Sequence, residues 1–356
     1  MRVVPGIAVA PPSLAGIARR VEARVSSLLD GELERWTAVD PDLAEPVAAL
    51  RDLVLAGGKR LRPAFCHWAY VGAGGAPDDQ AVVDAGAALE LLHTFALVHD
   101  DIMDGSATRR GTDTIHVQFE AGHAVDGWRG EARRFGEGVA ILVGDLSFVY
   151  ADRLLAAAPP AAHEVFTELR VEVNIGQYLD LVGTARGQVD ADTARRISRF
   201  KSGKYTVERP LHLGAALAGR LDELARPLSA YGLPLGEAFQ LRDDLLGVFG
   251  DDAVTGKPVG EDLREGKPTL LYAIAAERAT QADAAALARY GAPDLDEDGV
   301  AALQDVLVST GAADAVELAI DRLVGEAVDG LEAAPVTDDA RAALVELAYY
   351  VAGRDR

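Results

Sequence analysis

Apolar side chains recur at steps of three and four residues along nearly the whole chain, and this spacing constrains the fold more than any other feature. Leu14, Ile17, Val21, Val25 and Leu28 form the first such series. The same spacing recurs in four later segments: 89–102, 141–155, 165–181 and 301–324. Residues at these steps share one face of an α-helix, whereas the alternation typical of β-strands is absent. The pattern predicts an all-α fold.

The breaks between these helical segments are short clusters of glycine and proline. They lie at residues 72–77, 159–160, 234 and 256–268. None is long or biased enough to be a linker between domains. The longest irregular stretch, 105–138, lies between two strong helical segments, and a loop of that length is more often functional than incidental. We expect a single domain, residues 1–356, built as one large helical bundle.

The charge and cysteine content exclude some partners and environments. The 56 acidic residues outnumber the 35 Lys and Arg, and the formal net charge of −21 should repel nucleic acid phosphates. The single cysteine, Cys66, excludes an intramolecular disulfide and fits a reducing cytoplasm. The most apolar stretch, residues 86–98, is interrupted by Glu90 and His93. It is too short to span a bilayer, so we expect no transmembrane segment.

Two groups of aspartates each end an apolar helical segment. Asp100, Asp101 and Asp104 lie in LVHDDIMDG, and Asp243 and Asp244 lie in FQLRDDLLG. At about 100° per residue, Asp100 and Asp104 share one helix face. Carboxylates so close together repel one another and are disfavoured at a helix C-terminus, so a merely solvated helix end explains them poorly. Mg²⁺ is typically bound by one or two carboxylates together with substrate phosphates.

The few cations are concentrated in short glycine-bearing segments. These are GGKRLRP at 57–63, RRG at 109–111, FKSGK at 200–204, and two Gly-Lys-Pro loops at Lys257 and Lys267. A guanidinium pair beside three carboxylates forms either a salt-bridge network or a bidentate site for phosphate oxygens, and the sequence leaves both open. Because cations are unfavourable at a helix start, the 57–63 segment favours anion binding.

These motifs, in this order, resemble those of the trans-isoprenyl diphosphate synthases, or polyprenyl synthetases. The matching segments are GGKRLRP, ELLHTFALVHDDIMD with RRG, GQYLDL, FKSGK, and FQLRDDLLGVFGD with GKPVGEDLREGKPT. The resemblance implies an all-helical bundle around a central cavity, and usually a homodimer. It implies head-to-tail condensation of isopentenyl diphosphate with an allylic diphosphate (dimethylallyl, geranyl or farnesyl). It also implies Mg²⁺, with three ions per active site.

The resemblance assigns roles residue by residue. The implied metal ligands are Asp100, Asp101, Asp104, Asp243 and Asp244. The implied isopentenyl diphosphate pocket consists of Lys59, Arg62, His93 and Arg110. The positions around the allylic diphosphate are Arg109, Lys201, Ser202, Gln240, Lys257 and Lys267. The implied catalytic set is the five aspartates with Arg109 and Lys201, and no side-chain base is named because the released diphosphate takes the proton.

Two positions depart from the family pattern. The second aspartate-rich motif often reads DDxxD, but its last position here is Gly247. Either Asp251 or Asp252 compensates, or the third carboxylate is dispensable. The family's Lys-Thr pair is Lys-Ser here, so the hydroxyl is kept. Lys204 competes with Lys201 for the lysine role, and we favour Lys201.

Product length depends on the residues just before the first motif. Phe95 is five residues before Asp100, and the small Ala96 is four before it. This arrangement resembles enzymes that stop at the C20 product, geranylgeranyl diphosphate. On a helical wheel Phe95 lies about 140° from Asp100, so it does not point straight down from the metal ligands. The same chemistry with a farnesyl or longer polyprenyl product is the alternative.

Three other functions fit the sequence less well. A class I terpene cyclase shares the fold and first motif, but it usually carries an Asn-x-x-x-Ser-x-x-x-Glu-type second motif and would have no use for GGKRLRP. A ferritin-like di-iron protein needs two Glu-x-x-His motifs, and only Glu90-Leu-Leu-His93 is present. A catalytically silent partner subunit tends to lose aspartates or the arginine pair, and both are intact.

Overall fold

A computed structural model describes residues 10–186, 190–250 and 260–353, and these residues are mostly helical with almost no strand. The all-α prediction is confirmed. The chain divides into two compact units. The N-terminal unit comprises Pro12–His67 and Gly75–Pro159. The C-terminal unit comprises residues 10–11, Trp68–Gly74 and the described residues from Pro160 to residue 353.

The N-terminal unit is a bundle of helices in which α4 packs against α1 and α6. Its helices are α1 (Pro12–Thr37), a 3₁₀ turn (Pro41–Leu43), α2 (Ala44–Leu55), the start of α3 (Leu61–Gly72), α4 (Gln80–Asp104), α5 (Ile115–Val125) and α6 (Ala132–Leu154). A two-residue antiparallel hairpin, β1 (Thr108–Arg109) with β2 (Thr112–Asp113), follows α4. The predicted apolar face of α1 is buried, as at Leu14, Ile17 and Val21.

Helix α4 forms the core of the N-terminal unit and ends at the first aspartate-rich motif. The Asp79 side chain caps its start by accepting a hydrogen bond from the Ala81 N–H, and Gly105 ends it with a left-handed φ of 66°. By length and composition α4 is apolar enough to cross a membrane, with a mean hydropathy of 1.6 over 18 residues. However, 61% of that window is buried inside the protein, as in a core helix.

The C-terminal unit is built around α10, which packs against α15 and a π-helical segment. Its helices are α7 (Pro160–Arg186), α8 (Ala191–Ser198), the π-helix (Arg199–Glu208), α9 (Arg209–Leu217), α10 (Leu221–Phe249), α11 (Glu261–Glu265), α12 (Leu270–Arg278), α13 (Ala284–Leu287), α14 (Glu297–Ser309), α15 (Ala312–Glu332) and α16 (Asp338–Gly353). The second aspartate-rich motif lies in the last two turns of α10.

Glycines allow the π-helix to approach helices on two sides. A Cβ on Gly176 of α7 would lie 2.4 Å from the backbone nitrogen of Lys201. A Cβ on Gly236 of α10 would lie 2.5 Å from the carbonyl oxygen of Gly203. No side chain fits at either distance, so glycine is required at both crossings. The π-helix, an uncommon conformation that is frequent at functional sites, is thereby held between α7 and α10.

Proline 234 does not break a helix, contrary to the sequence prediction, because α10 runs through it. A proline inside a helix leaves the carbonyl four residues earlier without its usual amide partner. That carbonyl belongs to Ala230, and its oxygen lies 2.7 Å from the place that a Cβ on Gly330 would take. Gly330 of α15 packs directly against the interrupted turn, and α10 continues through it.

Two further predictions about helix boundaries are wrong. The stretch 105–138 is not one long irregular loop, because it contains the hairpin, all of α5 and the start of α6. The segment 301–324 is not one helix, because Gly311 adopts a left-handed φ of 69° between α14 and α15. A turn at one glycine leaves the apolar spacing of both flanking helices unchanged, so periodicity does not reveal it.

Candidate active site

The first aspartate-rich motif occupies the C-terminal turn of α4. The carbonyl oxygen of Asp101 accepts hydrogen bonds from the N–H groups of Gly105 and Ser106, the latter at 3.0 Å. This left-handed cap stops the helix directly after Asp104. The Asp101 side chain is buried, with 3% of its surface exposed, so it needs a partner that neutralises its charge.

That partner is Arg109 in β1. Its Nε donates to both carboxylate oxygens of Asp101, at 2.8 and 2.9 Å, and its Nη2 donates to Oδ1 at 2.5 Å. Burial alone would lower the pKa of Arg109, but the hydrogen bonds to Asp101 and the charges of Asp100 and Asp104 raise it. All three motif carboxylates therefore act on one guanidinium. Of the two readings that the sequence left open for Arg109, the structure contains the salt bridge.

The GGKRLRP segment forms a strained turn before α3. Gly57 and Gly58 have φ values of 102° and 151°, and Arg60 is left-handed at 49°, an uncommon conformation for a residue other than glycine. The buried Arg60 guanidinium contacts Glu90 of α4, donates to Glu22 at 3.0 Å, and donates to the Val54 carbonyl at 2.7 Å.

Arg60 was not among the predicted site residues. The signal that could have revealed it is Glu90, an acid within the most apolar stretch of the chain. A buried carboxylate there requires a buried cation as its partner. The Arg60–Glu90 ion pair ties the GGKRLRP segment to α4 one turn before His93.

Arginines converge on His93 in the N-terminal unit. Desolvation, followed by the charges of Arg62, Arg110, Arg109 and Arg60, lowers the pKa of His93 well below its ordinary value. The imidazole is therefore neutral. Glu90 and Asp101 balance the charges of Arg60 and Arg109, and a bound anion would reduce the repulsion among the arginines further.

Arg110 and Lys59 are two of the cations predicted to bind isopentenyl diphosphate. Arg110 is left-handed at φ 54° and donates to the Leu53 carbonyl at 3.3 Å, while burial and the Arg60 charge lower its pKa. The Lys59 side chain is exposed. The structure thus brings Arg62 and Arg110, which come from two separate segments, together around His93, as expected for an anion-binding site.

The residues predicted to limit chain length pack against α6. The Phe95 ring lies 4.6 Å from the His99 ring and 4.9 Å from the Phe148 ring, edge to face in the second case. Both Phe95 and Ala96 are half-buried. Phe148 was not predicted, because contact between α4 and α6 is not visible in helical spacing.

The second aspartate-rich motif is buried at the end of α10. Asp244 accepts a hydrogen bond from Gln240 at 2.6 Å. Burial, followed by the charges of Asp262 and Asp243, raises the pKa of Asp244 to about 8. Lys257, Asp251 and Asp252 lie outside the described residues, so the sequence predictions made for them stay predictions.

Asp262 and Lys267 lie beside this motif. The Nζ of Lys267 is 3.1 Å from Asp262 Oδ1 and 2.7 Å from Glu265 Oε2. A Cβ on Gly247 would lie 2.1 Å from Asp262 Oδ2. Asp262 was not predicted, because it follows the motif by more than one helical turn and a loop.

The two candidate lysines of the π-helix have different partners. Lys201 Nζ lies 2.6 Å from Asp180 Oδ2, in the GQYLDL segment of α7. Lys204 contacts the buried carboxylate of Glu172, which Arg209 also binds through Nε at 2.6 Å and Nη2 at 2.8 Å. Ser202 is half-buried beside them.

The carboxylates at both helix ends have the chemistry of ligands for a hard divalent cation. In the described parts of the chain, no three His, Cys, Asp or Glu side chains form a preformed metal cluster. At α4 one carboxylate, that of Asp101, is bonded to Arg109 instead. The donors are nevertheless all oxygen atoms of carboxylates that repel one another, and this donor set fits Mg²⁺ or a similar ion.

A helical chain with carboxylate groups ending two helices and a cation-lined pocket matches a known class of enzyme. Residues 45–307 match the family model for polyprenyl synthetase. The chain belongs to the polyprenyl synthetase family and is a trans-prenyltransferase, which confirms both the resemblance and the enzyme class that the sequence predicted.

Relatives and solved structures agree with this assignment. The chain is 32% identical over 320 residues to a geranylfarnesyl diphosphate synthase of Aeropyrum pernix, covering 87% of this chain and 94% of that one. It is 32% identical over 274 residues to a nonaprenyl diphosphate synthase of Mycobacterium tuberculosis, covering 76% and 75%. A crystal structure of geranylgeranyl pyrophosphate synthase from Corynebacterium glutamicum, complexed with isoprenyl diphosphate and magnesium, matches with a TM-score of 0.90 at 36% identity, covering 95% and 99%.

Proposed function

We propose that the protein condenses isopentenyl diphosphate head-to-tail with an allylic diphosphate, in the presence of Mg²⁺, to give geranylgeranyl diphosphate. The observation that carries this proposal is the pairing of opposite charges on α4. Arginines act on His93, and carboxylates end the same helix at Asp100, Asp101 and Asp104. The arginines near His93 offer a place for one diphosphate. The carboxylates offer a place for a divalent cation, which in turn binds a second diphosphate.

We assign the five motif aspartates, Asp100, Asp101, Asp104, Asp243 and Asp244, as ligands of Mg²⁺, with three ions per active site. When bound, Mg²⁺ neutralises the charge that develops on a leaving diphosphate. The magnesium in the Corynebacterium structure supports this assignment, as does the all-oxygen donor set.

The arginine pocket of the N-terminal unit is assigned to isopentenyl diphosphate. Lys59, Arg62 and Arg110 would bind its phosphate oxygens. The neutral imidazole of His93 would donate an N–H to the same group. Fixing this diphosphate positions the double bond for attack, and positioning supplies much of the rate acceleration in reactions of two bound molecules.

Further groups are assigned to the allylic diphosphate. They are Arg109, Lys201, Ser202, Gln240, Lys267 and Lys257, the last of which lies outside the described residues. We prefer Lys201 over Lys204, because Lys204 shares the buried carboxylate of Glu172 with Arg209. Lys201 is paired as well, with Asp180 at 2.6 Å, but its side chain is more exposed than that of Lys204, 24% against 14%.

For the product we propose a C20 chain, with Phe95 limiting its growth and the small Ala96 leaving space beside it. The half-buried Phe95 ring is supported by Phe148 and His99, which would make a rigid floor. Apolar walls also keep a carbocation away from water. The geranylgeranyl synthase similarity supports this length, while geranylfarnesyl and nonaprenyl synthases among the relatives make longer products the alternative.

We further propose one domain over residues 1–356 that forms a homodimer in the cytoplasm. Helix α6 exposes Ile141, Leu142 and Val149. Helix α7 exposes a second apolar row: Val171, Ile175, Tyr178 and Leu181. Exposed apolar residues grouped in this way are typical of subunit interfaces. Sedimentation of the purified protein tests the dimer.

Incubation with isopentenyl and farnesyl diphosphates plus Mg²⁺, with products identified by mass spectrometry, tests the reaction. We expect geranylgeranyl diphosphate, and we expect chelation of divalent cations to stop its formation. Absence of elongation with dimethylallyl, geranyl and farnesyl primers alike would contradict the proposal. Release of a hydrocarbon instead would identify a terpene cyclase.

A further inference from the structure

The second aspartate-rich motif lacks a carboxylate on one helix face. Its aspartates are Asp243 and Asp244, and the position four residues after Asp243 is Gly247. Residues four apart share a helix face. In the DDxxD pattern that position carries the third carboxylate of the motif, so α10 itself supplies only two.

A carboxylate from elsewhere in the chain occupies the space beside Gly247. A Cβ at Gly247 would lie 2.1 Å from Oδ2 and 2.8 Å from Cγ of Asp262. Real Cβ contacts do not occur at such distances, so a side chain at 247 and the present Asp262 side chain exclude each other. The glycine and the carboxylate therefore form one complementary arrangement.

The backbone fixes Asp262 in this position. The Gly260 N–H donates to the Gly247 carbonyl at 3.2 Å, which joins the two segments directly. Gly260 adopts a left-handed φ of 75°, and α11 starts at the next residue. Asp262 thus lies in the first turn of a short helix that begins against the end of α10.

An anchoring role toward Lys267 does not account for this placement. Lys267 already has a carboxylate partner in Glu265, at 2.7 Å, while Asp262 is at 3.1 Å. The C-terminal end of α10 carries the negative end of the helix dipole and two aspartates, so a third carboxylate there is unfavourable by itself. A bound divalent cation removes this cost.

We propose that Asp262 is the third carboxylate of the second aspartate-rich motif, replacing the side chain absent at Gly247, and binds a divalent cation–diphosphate complex together with Asp243 and Asp244. This inference rests on the proposed function. It answers the question that Gly247 raised in the sequence: the compensating carboxylate comes from α11.

Binding of Mn²⁺ in the presence of inorganic diphosphate, measured by calorimetry on the full chain, tests the inference without prenyl transfer. We expect Asp262→Asn to weaken binding about ten- to a hundredfold. The matched control is Glu265→Gln, which removes the other carboxylate partner of Lys267 and should change binding less than about twofold. Thermal melting of each variant verifies that it is folded.

Moving the carboxylate from α11 to α10 provides a second test of the inference. Gly247→Asp combined with Asp262→Ala places the carboxylate on α10 and removes the side chain that would clash with it. We expect this double variant to regain most of the Mn²⁺ binding that Asp262→Asn loses. Wild-type binding by Asp262→Asn would overturn the inference. So would a relocated double variant that folds but binds as weakly as Asp262→Asn.

The variant Asp243→Asn separates this inference from the proposed function. If Asp243→Asn weakens Mn²⁺ binding and Asp262→Asn does not, only the role of Asp262 fails. If neither substitution weakens binding, the metal assignment of the second motif fails, and with it that part of the proposed function.

Discussion

The two aspartate-rich helix ends differ in the source of their counter-charge. At the end of α4, Asp101 is bound bidentately by Arg109, which lies only eight residues further along the chain. At the end of α10, Asp244 accepts a hydrogen bond from Gln240, and the cation acting on it is Lys267. One carboxylate of the first motif is therefore balanced by an arginine in the loop that directly follows α4. The second motif depends on Lys267, which lies beyond the end of α10.

The two helix ends therefore carry the same motif chemistry in different surroundings. The first site comes with a local guanidinium that aligns one carboxylate. The second has a carboxylate with a pKa raised to about 8 and another carboxylate, Asp262, facing the helix at Gly247. Deprotonation of Asp244 is disfavoured there by burial and by the neighbouring carboxylates, so a divalent cation bound at the α10 end would lower the pKa of Asp244 and stabilise its charged form.

The largest effect should follow from removing a metal ligand at the α4 end. Asp100→Ala should lower prenyl transfer on the order of a thousandfold, because the diphosphate then loses part of its cation. The fold should persist, since Asp100 is only half-buried. Steady-state kinetics and thermal melting measure both. The control Asp298→Asn alters an exposed acid and should be neutral; wild-type turnover by Asp100→Ala would show the metal assignment to be wrong.

A smaller effect should follow from replacing the local guanidinium. Arg109→Lys keeps the charge but loses the bidentate contact with Asp101, so we expect a loss of about ten- to a hundredfold in kcat/KM. Its counterpart in the other unit, Lys267→Arg, keeps the charge without breaking a bidentate pair and should lose less. Equal losses of kcat/KM in Arg109→Lys and Lys267→Arg would contradict the proposed difference between the two helix ends.

The sequence predicted those features that depend on local spacing. Helical periodicity located α1, α4, α6 and α7, and the aspartates were correctly placed at the ends of helices. These predictions hold because amphipathic spacing and motif position are properties of neighbouring residues.

Features that depend on tertiary packing were not predicted. Nothing in the residues around Gly247 indicates that Asp262 will lie against it, and the left-handed Arg60 became visible only with its buried partner Glu90. The π-helix at Lys201 depends on glycines in two other helices, Gly176 and Gly236. Contacts of this kind arise between segments far apart in the chain, where spacing gives no signal.

Removing the aromatic floor below the first motif should change the product rather than the rate. Phe95→Ala deletes the ring that contacts Phe148 and His99, so we expect products longer than C20 by mass spectrometry. The control is Met103→Ala, which removes an exposed apolar side chain from the same helix and should leave the product length unchanged. An unchanged C20 product from Phe95→Ala would exclude Phe95 as the floor.

The smallest effect should come from His93, which is a neutral group among cations. Its pKa is lowered well below the ordinary value by desolvation and by the surrounding arginines. It therefore stays unprotonated as the pH falls through about 6.5, where an unperturbed histidine gains its proton. His93→Gln keeps a hydrogen-bonding group without charge, so KM for isopentenyl diphosphate should change about twofold or less, and the pH profile should keep its shape. An inflection near pH 6.5 that disappears in His93→Gln would show that the imidazole is protonated there. The surrounding arginines would then lower the pKa of His93 less than the structure indicates, and the assignment of this site to isopentenyl diphosphate would lose that support.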